Sequence, residues 1–99
     1  MAKTSKSSGQ KTIKMPADLR IASAGAAYAS LRGAAQGSFA RVALDAGQVE
    51  KVDAAGIQAL LAGRQALVQA GKQVSWSGAS PQVKAAAQLL GLADALALE

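Results

Sequence analysis

The side chains available for chemistry in this 99-residue sequence are carboxylates, hydroxyls and amines, because histidine and cysteine are both absent. Histidine is the usual general base near neutral pH and the commonest metal ligand. Without cysteine there is no disulfide and no thiolate metal site. The six acidic residues are scattered, and no Walker sequence or G-x-G-x-x-G phosphate loop occurs. We therefore predict that the protein is not an enzyme and carries no metal site and no cofactor.

One segment is a candidate for binding, the loop of residues 48–56 and the helix that follows it. Asp53 is well placed as the N-cap of that helix, and it could instead contact a partner. Gly56 could allow close packing of the helix on a sheet. Arg64 falls within the apolar stripe of the same helix, where its charge must reach water, find a pair or bind a partner.

The elements that position this loop alternate along the chain. Residues 1–10 form a polar, basic leader that we expect to be disordered, and residues 11–99 form one domain. Strands are predicted at 11–15, 39–44 and 72–77, each followed by a helix, and Gly71 and Gly91 are placed to end two of the helices. This order predicts an α/β fold with a small sheet that is mixed or mostly parallel. The loop of residues 48–56 lies at the carboxyl end of a strand, where such folds bind ligands or partners.

Helical spacing predicts which side chains pack inward. In the first helix these are Ile21, Tyr28, Leu31 and Ala35; in the second, Ile57, Leu60, Leu61, Leu67 and Val68; in the third, Val83, Ala86, Ala87 and Leu90. Ser80 and Pro81 are predicted as N-cap and first residue of the third helix. Trp76 is predicted to lie in the core on an inner strand.

The net charge of +5 belongs mostly to the start of the chain. Of 11 basic residues, four precede Met15, which leaves seven against six acidic residues from there onward. Nucleic-acid modules usually add a basic face or stacking aromatics, and the three aromatic residues here are far apart in sequence, so no specific nucleic-acid binding is expected. No apolar run is long enough to span a bilayer, and no signal peptide is recognisable. We expect a cytoplasmic protein that does not insert into the membrane.

The segment from residue 42 to residue 61, VALDAGQVEKVDAAGIQALL, resembles the core signature of the STAS domain, the family of bacterial anti-sigma factor antagonists and their relatives. Downstream, AGKQVSW at 70–76, Ser80-Pro81 and LLGL at 89–92 resemble the next strand and helix of that family. The resemblance covers residues 16–98 and implies a regulatory module that acts by binding proteins. It implies partner contact through Asp53, Ala54, Ala55, Gly56, Gln58 and Arg64.

The resemblance also implies that phosphorylation cannot switch this turn. In switched members of the family, a serine or threonine directly follows the aspartate, and a phosphate there is favoured by the helix N-terminus. The corresponding residue here is Ala54, and Ala55 comes next. The expected partner is an anti-sigma factor or a switch kinase. The alternatives are the ATPase of a phospholipid-transport ABC complex and a chemotaxis-associated signalling role.

Many STAS domains begin with a two-stranded hairpin, and only the strand at 11–15 is predicted here. An exposed sheet edge would result, which makes homodimerisation through strand pairing an open alternative. Binding of a nucleotide, as proposed for some members of the family, is the other alternative left open.

Overall fold

The computed structural model describes residues 9–98, so the first eight residues of the predicted leader and Glu99 lie outside the described residues. The elements are strands β1 (Gln10–Lys14) and β2 (Asp18–Leu19), helix α1 (Ile21–Ala35), strands β3 (Arg41–Ala46) and β4 (Lys51–Val52), helix α2 (Ala54–Gln69), strand β5 (Gln73–Ala79) and helix α3 (Pro81–Leu89). The predicted alternation of strands and helices is confirmed. The two-residue strands β2 and β4 were not predicted.

The main sheet is parallel and has the order β1-β3-β5. Ile13, Leu44 and Trp76 lie side by side across it. The central strand β3 is the most apolar: Val42, Leu44 and Ala46 are fully buried. The predicted α/β class and parallel sheet are therefore confirmed, although β3 begins at Arg41 and leaves Phe39 outside the strand.

The prediction that Trp76 lies on an inner strand is wrong, because β5 is an edge of the sheet within residues 9–98. Trp76 is half-buried rather than buried. Its indole N–H donates to the carbonyl oxygen of Leu96 at 2.8 Å, which ties the last described segment to the sheet. A tryptophan with a polar tip fits such a site, where one end of the ring is packed and the N–H finds an acceptor.

Helix α1 packs through small residues. Its buried positions are Ala24, Ala27, Leu31 and Ala34. The prediction that Ile21 packs inward is wrong: its side chain is 75% exposed, because the first residue of the helix lies ahead of the part that covers the sheet. Tyr28 and Ala35 are half-buried.

Helix α2 buries Ile57, Leu60 and Leu67 completely, as predicted, whereas Val68 near its end is 47% exposed, so that prediction is wrong. A Cβ atom at Gly63 would overlap the side chain of Leu31 in α1. The glycine therefore lets the two helices approach closely, and the small buried residues of α1 serve the same purpose.

Helix α3 begins as predicted. The Ser80 hydroxyl accepts a hydrogen bond from the Val83 N–H at 3.2 Å, and Pro81 is the first helical residue. Val83 and Ala87 are fully buried, whereas the inward prediction for Leu90 is wrong, since it is 42% exposed. The chain leaves α2 and α3 through Gly71 and Gly91, whose φ angles of 86° and 73° favour glycine.

Candidate functional site

The carboxyl ends of β1 and β3 are joined by a second, two-stranded sheet. Strand β2 pairs with β4, so that Asp18 lies beside Lys51. The N–H groups of Glu50 and Lys51 both donate to the carbonyl oxygen of Ala17, at 2.8 and 3.1 Å. Because α1 follows β2 and α2 follows β4, this pairing places the starts of the two helices side by side. The helix starts lie at the carboxyl ends of the strands, where parallel α/β folds commonly bind partners.

A single carboxylate joins the two helix starts. Asp53 is the N-cap of α2, and its Oδ1 accepts a hydrogen bond from the Gly56 N–H at 3.0 Å. Its Oδ2 accepts from the N–H of Ile21, the first residue of α1, also at 3.0 Å. Arg20, the N-cap residue of α1, gives no side-chain cap of its own. Asp53 therefore supplies acceptors to two helix N-termini, whose first N–H groups have no partner within their own helices.

Gly56 brings α2 against the second sheet. It is buried, and a Cβ atom at this position would overlap the carbonyl oxygen of Leu19 in β2. A backbone carbonyl held in a strand cannot move aside as a flexible side chain can. The residue at position 56 must therefore lack a side chain for α2 to begin where it does.

An ion pair flanks this junction. The Arg20 guanidinium donates to both carboxylate oxygens of Asp18, at 2.8 and 2.9 Å. These hydrogen bonds lower the pKa of Asp18, and the carboxylate raises the pKa of Arg20. Both side chains are about half exposed, so the pair orients Arg20 more than it stabilises the fold.

The side chains that project around the start of α2 form what we call the turn surface. Its members are exposed and come from β4 and the starts of α1 and α2: Arg20, Ile21, Lys51, Ala54 and Gln58. Ala54 and Gln58 are one helical turn apart. The Ile21 side chain is 75% exposed and gives this surface an apolar contact among small, polar and basic side chains. The Asp18 carboxylate, paired with Arg20, borders it.

The structure separates the residues that the sequence grouped as a site. Asp53 and Ala55 are half-buried and Gly56 is buried, whereas Ala54 and Gln58 are exposed. Arg64 lies about 16 Å from Asp53 along α2. There its Nη1 donates to the carbonyl oxygen of Ala95 at 3.4 Å, and its buried Nε has no hydrogen-bond partner among the described residues.

Sequence reasoning missed Arg20 and Ile21 as members of this surface. Ile21 was assigned to the core from its helical spacing, and Arg20 carried no motif. The available signal was the sequence Asp-Leu-Arg at 18–20, in which an acid and a base two residues apart precede a helix.

Within residues 9–98, no group of three or more acidic side chains is arranged to hold a metal ion. Over the same part of the chain, no helix has the length and apolar character needed to cross a membrane.

Comparison with known families gives one match that spans nearly the whole chain. Residues 2–98 match the family model described as "Mlab, STAS domain". The chain belongs to the STAS family. The junction of β4, Asp53 and α2 lies within the matched residues.

Two solved structures share the fold of this STAS domain. A sulfate transporter family protein from Wolinella succinogenes is 20% identical, with a TM-score of 0.72, and the match covers 89% of this chain and 71% of that one. The unphosphorylated anti-sigma factor antagonist SpoIIAA is 18% identical, with a TM-score of 0.69, and the match covers 88% and 76% of the two chains. At these identities the likeness shows the fold alone. No curated protein sequence matches this STAS domain.

Proposed function

We propose that this STAS domain is a non-catalytic regulatory module that binds another protein through the turn surface. The observation that carries the proposal is the two-helix cap. Asp53 holds the starts of α1 and α2 together, and Ile21 and Ala54, the first residues of those helices, are both exposed. A rigid backbone junction that presents an apolar side chain is suited to docking, because little conformational entropy is lost on binding.

Within this proposal the six residues of the sequence-based site have different roles. Ala54 and Gln58 contact the partner directly, together with Ile21. Asp53, Ala55 and Gly56 hold the start of α2 in place. Arg64 belongs to the other end of α2, where its bond to Ala95 supports packing of the last described segment.

The module is proposed to be permanently in its unphosphorylated form at this turn. Ala54 and Ala55 are the first two residues of α2, and their methyl side chains accept no phosphoryl group. The helix N-terminus that could favour a phosphate therefore has no hydroxyl beside it. Docking would then be regulated by the amount of the protein or of its partner.

The proposed partner is an anti-sigma factor or a switch kinase, and the proposed location is the bacterial cytoplasm. A second candidate is a STAS subunit bound to the ATPase of a phospholipid-transport ABC complex, or a chemotaxis-associated module. The alanine at position 54 favours this second group, since neither role requires a phosphorylation cycle at the turn. One structural neighbour is itself described as a transporter family protein.

The test is affinity capture from the native host, comparing the wild type with Ala54→Glu. Ala62→Glu is the matched control, because it introduces the same charge at an exposed alanine of the same helix, about 12 Å further on. We expect an anti-sigma factor, a switch kinase or a transporter ATPase to be captured by the wild type and the control, and to be lost with Ala54→Glu. The class of the captured protein distinguishes the two candidate functions.

Two results would argue against the proposal. Capture of the same partner by all three proteins would move the interface away from the turn surface. Turnover of a substrate by the purified domain would contradict its non-catalytic character. Ala54→Ser adds a further check: if the turn can be switched, the captured kinase should phosphorylate the new serine and release the partner.

A further inference from the structure

The outer edge of β1 is free within the described residues, since β3 pairs with one side of β1 and no described strand pairs with the other. The Met15 N–H donates to the carbonyl oxygen of Asp45 in β3 at 2.8 Å. Successive residues of a strand direct their backbone groups to alternate sides. The N–H and C=O groups of Thr12 and Lys14 therefore point to the free edge, where an added strand could bond to them.

This edge opens into a groove between β1 and α1, which we call the edge groove. It consists of two adjoining hollows of about 450 and 350 Å³ that share Lys14 and Ser30 as lining residues. Its helix wall is a stripe of small residues that recur at helical spacing: Ser23, Ala26, Ser30 and Gly33. A Cβ atom at Gly33 would meet nothing within 4 Å. There is thus room beside β1 for the side chains of another strand.

The charge of the edge groove selects among possible occupants. Among the described residues that line it, Lys11 and Lys14 are charged, and none is acidic. A second copy of this chain would bring another pair of lysines to the same edge, and each copy carries a net charge of +5. Lysines on an edge strand oppose self-pairing of this kind.

We propose that the edge groove binds an extended acidic segment of a partner protein, which adds a parallel or antiparallel strand to β1. Every second side chain of that segment is an acid that lies near Lys14 on the open face of the sheet. The intervening side chains are β-branched and fill the space over Ser30 and Gly33. Main-chain hydrogen bonds give the affinity, and the two alternating rows of side chains give the specificity. This site is separate from the turn surface.

The probe is a fluorescein-labelled eight-residue peptide that alternates glutamate with valine. The control peptide has lysine in place of each glutamate. Binding to the full-length protein is measured by fluorescence anisotropy at low and at high salt. We expect the acidic peptide to bind and the basic one not to bind. Because the lysines contribute, affinity should fall as salt rises. On binding, amide hydrogen exchange should slow at Thr12 and Lys14 and stay unchanged at Ile13.

Gly33→Leu is the main variant, because it fills the groove from an exposed helical position. Gly25→Leu is the matched control: it is the same substitution in the same helix, also with nothing within 4 Å of the new Cβ, and it does not line the groove. Both variants should fold, since leucine favours a helix more than glycine does. We expect Gly33→Leu to lower the affinity for the acidic peptide at least tenfold and Gly25→Leu to leave that affinity unchanged. Lys14→Glu should shift preference to the basic peptide.

Equal binding by the two glycine variants, or no binding of the acidic peptide at millimolar concentration, would overturn the proposal. A dimer seen by analytical ultracentrifugation, and dissociated by Gly33→Leu but not by Gly25→Leu, would assign the edge to a second copy and also overturn it. Ala54→Glu should not affect peptide binding. The failure of this proposal is therefore distinguishable from a failure of docking at the turn surface.

Discussion

Replacement of Asp53 by alanine should destabilise the protein by more than the loss of one helix cap. The Gly56 N–H and the Ile21 N–H each lose a carboxylate acceptor. Loss of an N-cap typically costs about 1 kcal/mol, and a hydrogen bond to a charged group contributes about 1.5 kcal/mol or more. We expect Asp53→Ala to lower the free energy of unfolding by about 2–3 kcal/mol. For a domain of this size, that corresponds to a fall in Tm of roughly 10–20 °C.

Two further variants separate the contributions of the two hydrogen bonds. Asp53→Ser keeps an N-cap oxygen for α2 but is too short to reach α1, so it should lose about half as much stability as Asp53→Ala. Ser80→Ala removes an ordinary cap, in which the hydroxyl serves only α3, and should cost about 1 kcal/mol. The assay is urea unfolding followed by the fluorescence of Trp76 and by circular dichroism, with the slope of the transition checked for each variant.

The reasoning would be refuted if Asp53→Ser were as stable as the wild type. That result would mean that the bond across 32 residues from Asp53 to Ile21 contributes nothing to the free energy of unfolding. If Asp53→Ala lowered the free energy of unfolding by no more than Ser80→Ala does, the conclusion would be the same.

Two other perturbations follow from the same junction. Gly56→Ala should lower the free energy of unfolding in urea by at least about 3 kcal/mol, because the new methyl group overlaps the Leu19 carbonyl oxygen. Gly25→Ala, in open space on α1, should instead raise it by up to about 1 kcal/mol. Equal effects of the two substitutions would contradict the close approach of α2 to β2. In an NMR titration the Asp18 carboxyl should show a pKa below its ordinary value of about 3.9, and Arg20→Gln should return it toward that value. Since the folded pKa is the lower one, the stabilisation by this pair is present above about pH 4 and is lost as the pH falls through the folded pKa; an Asp18 pKa that does not respond to Arg20→Gln would refute the pairing.

The helices and the parallel sheet could be predicted because their signals are local. Ile57, Leu60 and Leu67 recur at helical spacing, and all three are fully buried. The caps Asp53 and Ser80 each precede a helix and have the required side-chain oxygen. The order of the elements followed from the same local signals, and the family resemblance agreed with it.

The parts that could not be predicted depend on contacts distant in sequence. Strands β2 and β4 are two residues long, too short for an alternating pattern, and exist because they pair with each other. The spacing that placed Ile21 in the core could not show that α1 begins ahead of the sheet. Nothing near Asp53 in sequence indicates that its second oxygen reaches Ile21.

The edge groove was out of reach for the same reason. The sequence predicted a free strand edge, but the small residues of α1 that make room beside it are distant from β1 along the chain. Small residues on a helix can equally mark burial in the core, as Ala24 does. Only the folded arrangement shows which small residues of α1 line the groove.

The measurement that tests the central claim most directly is amide hydrogen exchange of this STAS domain, free and bound to its captured partner. Docking through the turn surface predicts that exchange slows most at residues 20–21 and 51–58, and that Ala54→Glu abolishes this protection while Ala62→Glu does not. Protection confined to the far end of α2, around Arg64 and Val68, would contradict the account.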